Sequence, residues 1–119
     1  MSENTTIVIL PKHKKGNTFP GHDFYALNED LTPYDLTGCA IKSSFKYGSS
    51  DGEIVQTFSL VSGFTMIDAV AGHYSLDEQI INWTPGKYYY DIQITKADAK
   101  VDKPIAGTWT ITKDITPTT

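Results

Sequence analysis

Short runs of alternating apolar and polar residues recur along the chain, separated by Gly, Pro, Asn and Asp. The clearest begins after the turn dipeptide Pro85-Gly86. From Lys87 to Thr95, Tyr88, Tyr90, Ile92 and Ile94 share one face, while Tyr89, Asp91 and Gln93 share the other. That period of two predicts a half-buried strand. From Pro104 to Thr112, Ile105, Gly107, Trp109 and Ile111 alternate with Ala106, Thr108, Thr110 and Thr112. Folding the two runs about the polar loop Asp98 to Asp102 gives an antiparallel register that satisfies both. It sets Ile94 against Ile105, Ile92 against Gly107, Tyr90 against Trp109 and Tyr88 against Ile111, with Asp91 opposite Thr108 and Tyr89 opposite Thr110. A slip of one residue would turn the apolar side chains to water.

The same reading predicts strands at Thr5 to Leu10, Asp23 to Leu27, Cys39 to Tyr47, Glu53 to Val61, Phe64 to Asp68 and His73 to Asp77. A loop at Gly48-Ser49-Ser50-Asp51 predicts a second hairpin, with Phe45 against Ile54, Ile41 against Phe58, Cys39 against Leu60 and Ser43 against Gln56. The last pair either bonds internally or meets water at the sheet edge. Asp77 to Trp83 predicts one helical turn capped by Asp77, crossing between sheets. Gly86-x-Tyr88-x-Tyr90 then fits strand F of an immunoglobulin-like domain. Tyr88 stands where a tyrosine corner would be, its hydroxyl bonded back to the crossing segment. The expectation is an all-β, immunoglobulin-like antiparallel sandwich of about seven to eight strands. It would form one domain over residues 1–119, with Ile41, Phe45, Phe58, Tyr88, Tyr90, Ile92, Ile94, Trp109 and Ile111 in the core.

Thr5-Thr6-Ile7-Val8-Ile9-Leu10 differs from the other runs because both of its faces are apolar and no charge blunts it. A strand of this kind must be covered, since an exposed apolar edge pairs or aggregates. Thr5, Ile7, Val8, Ile9 and Leu10 are therefore the candidate interface. The second cover would come from another subunit or from the segment Lys12 to Leu27.

Charge and composition narrow the function. The net charge is −4, and every one of the ten basic residues is Lys. Without Arg the chain lacks the fork that favours phosphate and carboxylate recognition, so no nucleic-acid partner is expected. No apolar run is long enough to span a membrane. Cys39 stands alone and reads as a small hydrophobe. The polar start Met1 to Thr5 has no signal-peptide pattern, so synthesis in a cytoplasm is expected. His13, His22 and His73 lack zinc-type spacing, and His13 and His22 are read as solvated. The carboxylates of Glu29, Asp30, Asp51, Glu53, Asp77, Glu78, Asp98 and Asp102 fall at turns, where Asp and Glu commonly sit. Asp91 faces outward by the alternation. There is no phosphate loop, nucleophile elbow or Cys/His pair, so no catalytic residue, cofactor or metal ligand is expected and the chain reads as a non-enzyme. Tyr25, Tyr34, Tyr47, Tyr89 and Trp83 leave a carbohydrate-binding module as the alternative of another class, because exposed aromatics stack on sugars. A row of coplanar exposed rings would favour it.

Several segments in order resemble small bacteriophage and prophage structural proteins: Lys15-Gly16-Asn17-Thr18-Phe19-Pro20-Gly21, Asp35-Leu36-Thr37-Gly38-Cys39-Ala40-Ile41-Lys42, Gly72-His73-Tyr74-Ser75-Leu76, Pro85 to Gln93, Gly107 to Thr112 and Asp114-Ile115-Thr116. The pattern is similar to the N-terminal attachment domain of phage upper-baseplate proteins and spans nearly the whole chain. Asn17 stands where such sequences often carry Asp. The resemblance implies a β-sandwich that acts as a virion structural protein in the tail, baseplate or fibre-attachment region. Its partners would be other virion proteins, including further copies of itself. Because the sequence ends at Thr119 without a fibre or receptor-binding region, the expected role is a connector or accessory subunit. A capsid auxiliary or decoration protein is the alternative within that class.

Overall fold

A computed structural model describes residues 6–28, 30–60 and 62–113. Thr5, Glu29, Val61 and the Asp114-Ile115-Thr116 motif lie outside them. The described residues form ten strands and no helix: β1 (Thr6–Lys14), β2 (Thr18–Phe19), β3 (His22–Tyr25), β4 (Ala40–Tyr47), β5 (Ile54–Ser59), β6 (Phe64–Asp68), β7 (His73–Leu76), β8 (Gln79–Ile80), β9 (Gly86–Thr95) and β10 (Val101–Thr112). A five-stranded sheet in the order β1-β10-β9-β4-β5 faces a three-stranded sheet in the order β3-β7-β6, and β2 pairs with β8. Immunoglobulin-like domains put strands C, F and G in one sheet and B, E and D in the other. Here β4, β9 and β10 take the first set of places, and β3, β7 and β6 the second. The fold is an all-β, immunoglobulin-like sandwich.

Period-two patterning explains most of this. β9 alternates buried and half-buried positions along its length, and β4 buries Ile41, Ser43 and Phe45 while Ala40, Lys42 and Tyr47 are exposed. All nine residues expected in the core are buried, at 5% exposure or less. They join Leu10, Phe19, Phe24, Leu36, Phe64 and Tyr74 in one cluster between the sheets. Phe45 lies at its centre, stacked on Tyr90 and edge-on to Phe58 and Trp109.

Both hairpin registers differ from the expectation by two residues. Ile105 pairs with Ile92, Gly107 with Tyr90, Trp109 with Tyr88, Thr108 with Tyr89 and Ala106 with Asp91. In the other hairpin Ser43 faces Phe58 and Phe45 faces Gln56. A shift of two leaves every side chain on its own face, so the apolar pattern cannot distinguish these registers. Irregularities decide them: one between Asp102 and Ile105 in β10 and one in β5 where Lys46 pairs with Ile54. Ser43 is buried and donates its hydroxyl hydrogen bond to the Asp91 carbonyl at 2.7 Å, whereas Gln56 is exposed.

The helical turn expected at Asp77 to Trp83 is absent; the segment is extended and contains β8. Its N–H and C=O groups find partners across the chain, with Phe19 paired to Gln79 and Ile81 N–H bonded to the Asn17 carbonyl at 3.3 Å. A single helical turn would close too few bonds to compete with that pairing. The segment still crosses between sheets, and the tyrosine corner is present: Tyr88 donates to the Thr84 carbonyl at 2.6 Å. Tyr88→Phe should remove that part-buried bond and cost about 1 kcal/mol, read as a lower urea midpoint with an unchanged slope. An unchanged midpoint would show that the bond contributes nothing.

Among the named strands every pairing is antiparallel except one, because β1 runs parallel to β10. β1 is also longer than expected and continues through Pro11 to Lys14. Pro11 falls at the irregularity between Leu10 and His13, where a residue without an N–H is tolerated.

Candidate functional site

Of the residues singled out as an interface, Ile7, Val8, Ile9 and Leu10 lie on an outer strand of the five-stranded sheet, with one edge paired to β10 and no described strand paired to the other. Leu10 is 1% exposed and Val8 packs against the core, whereas Ile7 is 66% and Ile9 72% exposed. The segment from Lys12 to Leu27 does not cover Ile7 and Ile9. It turns inward instead, buries Phe19 and pairs through β2 with β8. The outer face of β1 is therefore left bare.

β1 is held by side chains from the core as well as by β10. Tyr90 donates to the Val8 carbonyl at 2.8 Å, and Trp109 Nε1–H donates to the Pro11 carbonyl at 2.9 Å. Burial pushes the Tyr90 hydroxyl above its ordinary pKa, which keeps it a donor at any physiological pH. Gly107 makes the approach possible: a Cβ there would collide with the Val8 carbonyl oxygen and come within 3.2 Å of Tyr90 Cε1. An exposed apolar pair is thus presented on a fixed backbone.

Beside Ile7 a shallow groove of about 360 Å³ crosses the outer face of the sheet over Thr108, Tyr89, Ser44 and Lys46. The Lys87 ammonium lies over the Tyr89 ring, 5.4 Å from its centre. Asp91 faces outward, 3.8 Å from Lys103 Nζ. The far edge of the same sheet is β5, where Ile54 is 54% and Val55 44% exposed. Sequence reasoning put Ile54 on the apolar face, opposite Phe45. The irregularity in β5 moves it out, and no pattern in the sequence marks that irregularity.

The other candidate groups have structural places. His13, expected in solvent, is buried; its Nε2 lies 2.8 Å from the Asn17 carbonyl, and its ring meets Phe19 and Trp109. The continuation of β1 beyond Pro11 turns it inward. His73 stacks on Tyr25 at 4.3 Å between ring centres and lies 3.4 Å from Asp23 Oδ1, a contact at ion-pair range without hydrogen-bond geometry. Asp30 accepts from Thr32, and Asp35 from Thr37, each through both the backbone N–H and the hydroxyl. Those bonds hold both carboxyls below their usual pKa. Tyr34 donates to Asp102 at 2.8 Å, and Lys96 lies 3.3 Å from the same oxygen. The Tyr34 bond, with help from Lys96, keeps Asp102 ionised below its ordinary value. This contact clasps the segment before β4 to the β9–β10 turn. Cys39 is half-buried at the rim of the core, and burial raises its pKa, which disfavours the thiolate. Among the described residues no three His, Cys, Asp or Glu side chains converge on a point where a metal ion could sit.

The aromatic residues do not form a row. Trp83 packs into the core against Phe45, Phe58, Tyr88 and Trp109. Tyr25 is 55% exposed but covered on one face by His73, and Tyr47 leans edge-on against Tyr88.

No family model matches the chain, and no curated protein sequence does. Among solved structures, the crystal structure of CopC from Methylosinus trichosporium OB3b is similar at a TM-score of 0.49 and 12% identity, over 90% of this chain and 89% of that one. The likeness concerns the course of the backbone and transfers no function.

Proposed function

We propose that this chain is a non-enzymatic structural subunit that works by protein–protein contact through the open edge of β1. The observation that carries the reading is the exposure of Ile7 and Ile9, 66% and 72%, on a strand whose backbone is pinned from the core side. Soluble proteins blunt their sheet edges with charge, Pro or irregularity. The second half of β1 has all three, in Lys12, Lys14, Pro11 and the break between Leu10 and His13. Ile7 to Leu10 has none, which suits a strand that receives a partner. The ordered motifs that resemble phage upper-baseplate attachment domains support a virion setting, as a connector in the tail, baseplate or fibre-attachment region.

A photo-crosslinking residue at Ile9 tests this in the organism that produces the protein, with Val70, which is 67% exposed on the other side of the fold's core, as the control position. Ile9 should cross-link to a virion component or to a second copy, identified by peptide mass, and Val70 should not. Equal products at the two positions, or none at Ile9, would overturn the reading.

A further inference from the structure

Among the described residues no strand pairs with the outer edge of β1 or of β5, where the isolated Ser59–Gly63 bridge touches the far end alone, and the chemistry of the two edges is complementary. We infer that copies of this chain join head to tail, β1 of one copy pairing antiparallel with β5 of the next, so that the sheet continues from copy to copy. This rests on the assembly reading above and names the partner.

Strand direction comes first. β1 is parallel to β10, and the steps β10–β9, β9–β4 and β4–β5 are each antiparallel. β5 therefore runs opposite to β1. A second copy displaced sideways in the plane of the sheet, with only the ordinary strand twist, presents β5 antiparallel to β1.

Level comes next. Ile9 pairs with Thr108, Thr108 with Tyr89, Tyr89 with Lys46 and Lys46 with Ile54. Ile9 and Ile54 thus lie on one row across the sheet, both exposed, and sideways continuation brings Ile9 of one copy to Ile54 of the next. One row further, Leu10, Trp109, Tyr88 and Tyr47 are level, and the Tyr47 N–H bonds to the Glu53 carbonyl at 3.1 Å. Beyond that row β1 carries Lys12 and Lys14, and the turn before β5 carries Asp51 and Glu53, at the same end of the sheet.

These four charged side chains are exposed, and none forms an ion pair with another described residue. Apolar therefore meets apolar where basic meets acidic. A two-fold β1–β1 pairing offers Lys12 and Lys14 no acid on the described part of either strand, and a β5–β5 pairing offers Asp51 and Glu53 no base. The contact is heterologous, so association runs past the dimer into a ring or filament.

Sedimentation at low ionic strength, with Lys12→Glu/Lys14→Glu and Asp51→Lys/Glu53→Lys as paired reversals, tests it. The wild-type average mass should rise with concentration beyond a dimer. Each reversal alone should weaken association by about ten-fold or more, and added salt should weaken the wild type. An equimolar mixture of the two reversals should regain association, because every β1 then meets a β5 of opposite charge. Ile54→Lys, which leaves all four charges in place, should also weaken self-association. A mixture that does not recover, or a wild type that stays monomeric, overturns the pairing. A monomeric wild type whose Ile9 probe still cross-links another virion protein overturns the head-to-tail contact alone. A chain that neither self-associates nor cross-links at Ile9 overturns the assembly reading with it.

Discussion

Trp109→Ala should destabilise the protein by about 3–5 kcal/mol, the usual cost of emptying a buried Trp site. Trp109 is fully buried, and its ring meets Phe19 at 4.9 Å, Trp83 at 5.4 Å, Phe45 at 5.8 Å and His13 at 6.0 Å between centres. It touches β1, β2, β4 and the crossing segment at once, so surrounding groups cannot collapse into the gap from one side. The substitution also removes the donor to the Pro11 carbonyl. That loss is a large share of a stability of about 5–15 kcal/mol, typical of small domains. Urea denaturation followed by far-ultraviolet circular dichroism gives the measurement. Trp109→Phe should fall between the two, keeping most of the apolar contact and losing the hydrogen bond. A Trp109→Ala protein that melts within a degree or two of wild type would mean that the ring is not packed as described.

Gly107→Ala should act on β1 in particular. The added methyl collides with the Val8 carbonyl oxygen, a backbone atom that cannot swing aside as a side-chain tip could, and crowds Tyr90 Cε1. Overpacking of this kind costs about 1–3 kcal/mol. The easiest relief is for β1 to lift away from β10, which breaks the Tyr90–Val8 hydrogen bond and uncovers Leu10. Hydrogen exchange should accelerate at residues 7–10 while β4 and β9 stay protected, because local opening need not involve the whole sheet. Cross-linking at Ile9 should fall with it. Protection of residues 7–10 equal to wild type would show that Gly107 is not what admits the strand.

The assembly proposed above rests on two separate grounds. One comes from motif order along the chain, the other from the exposure of particular side chains. Deleting residues 1–10 removes the part of β1 that carries Ile7, Ile9 and the Val8 carbonyl that accepts from Tyr90, and a truncated protein that is monomeric, stable and still incorporated into its assembly would rule out the edge.

Alternation by itself determined which residues of the long strands β4, β9 and β10 face inward. Each segment read as a strand overlaps one, the nine core positions are buried, and the tyrosine corner is legible in Gly86-x-Tyr88-x-Tyr90. Period-two patterning encodes sidedness, and sidedness is what hydrophobic burial selects. It does not encode register beyond odd and even, so both hairpins were placed two residues away from their true pairing. The two-residue strands β2 and β8 went unseen for a related reason: they hold few residues and derive their stability from pairing with each other across the chain. His13 reads as solvated because it flanks a Gly/Pro-rich loop, and only the continuation of β1 past Pro11 turns it against Trp109. The sequence also showed that Ile7 to Leu10 was apolar on both sides and required cover. Which side the molecule would cover was decided by the tertiary structure. Val8 and Leu10 found the core, and the segment that could have sheltered Ile7 and Ile9 was drawn inward by Phe19, because its burial between the sheets removes a large aromatic surface from water. Strand order then set β1 and β5 at opposite edges, running in opposite directions with their charged ends level, a relation carried by long-range pairing that no local stretch of sequence contains.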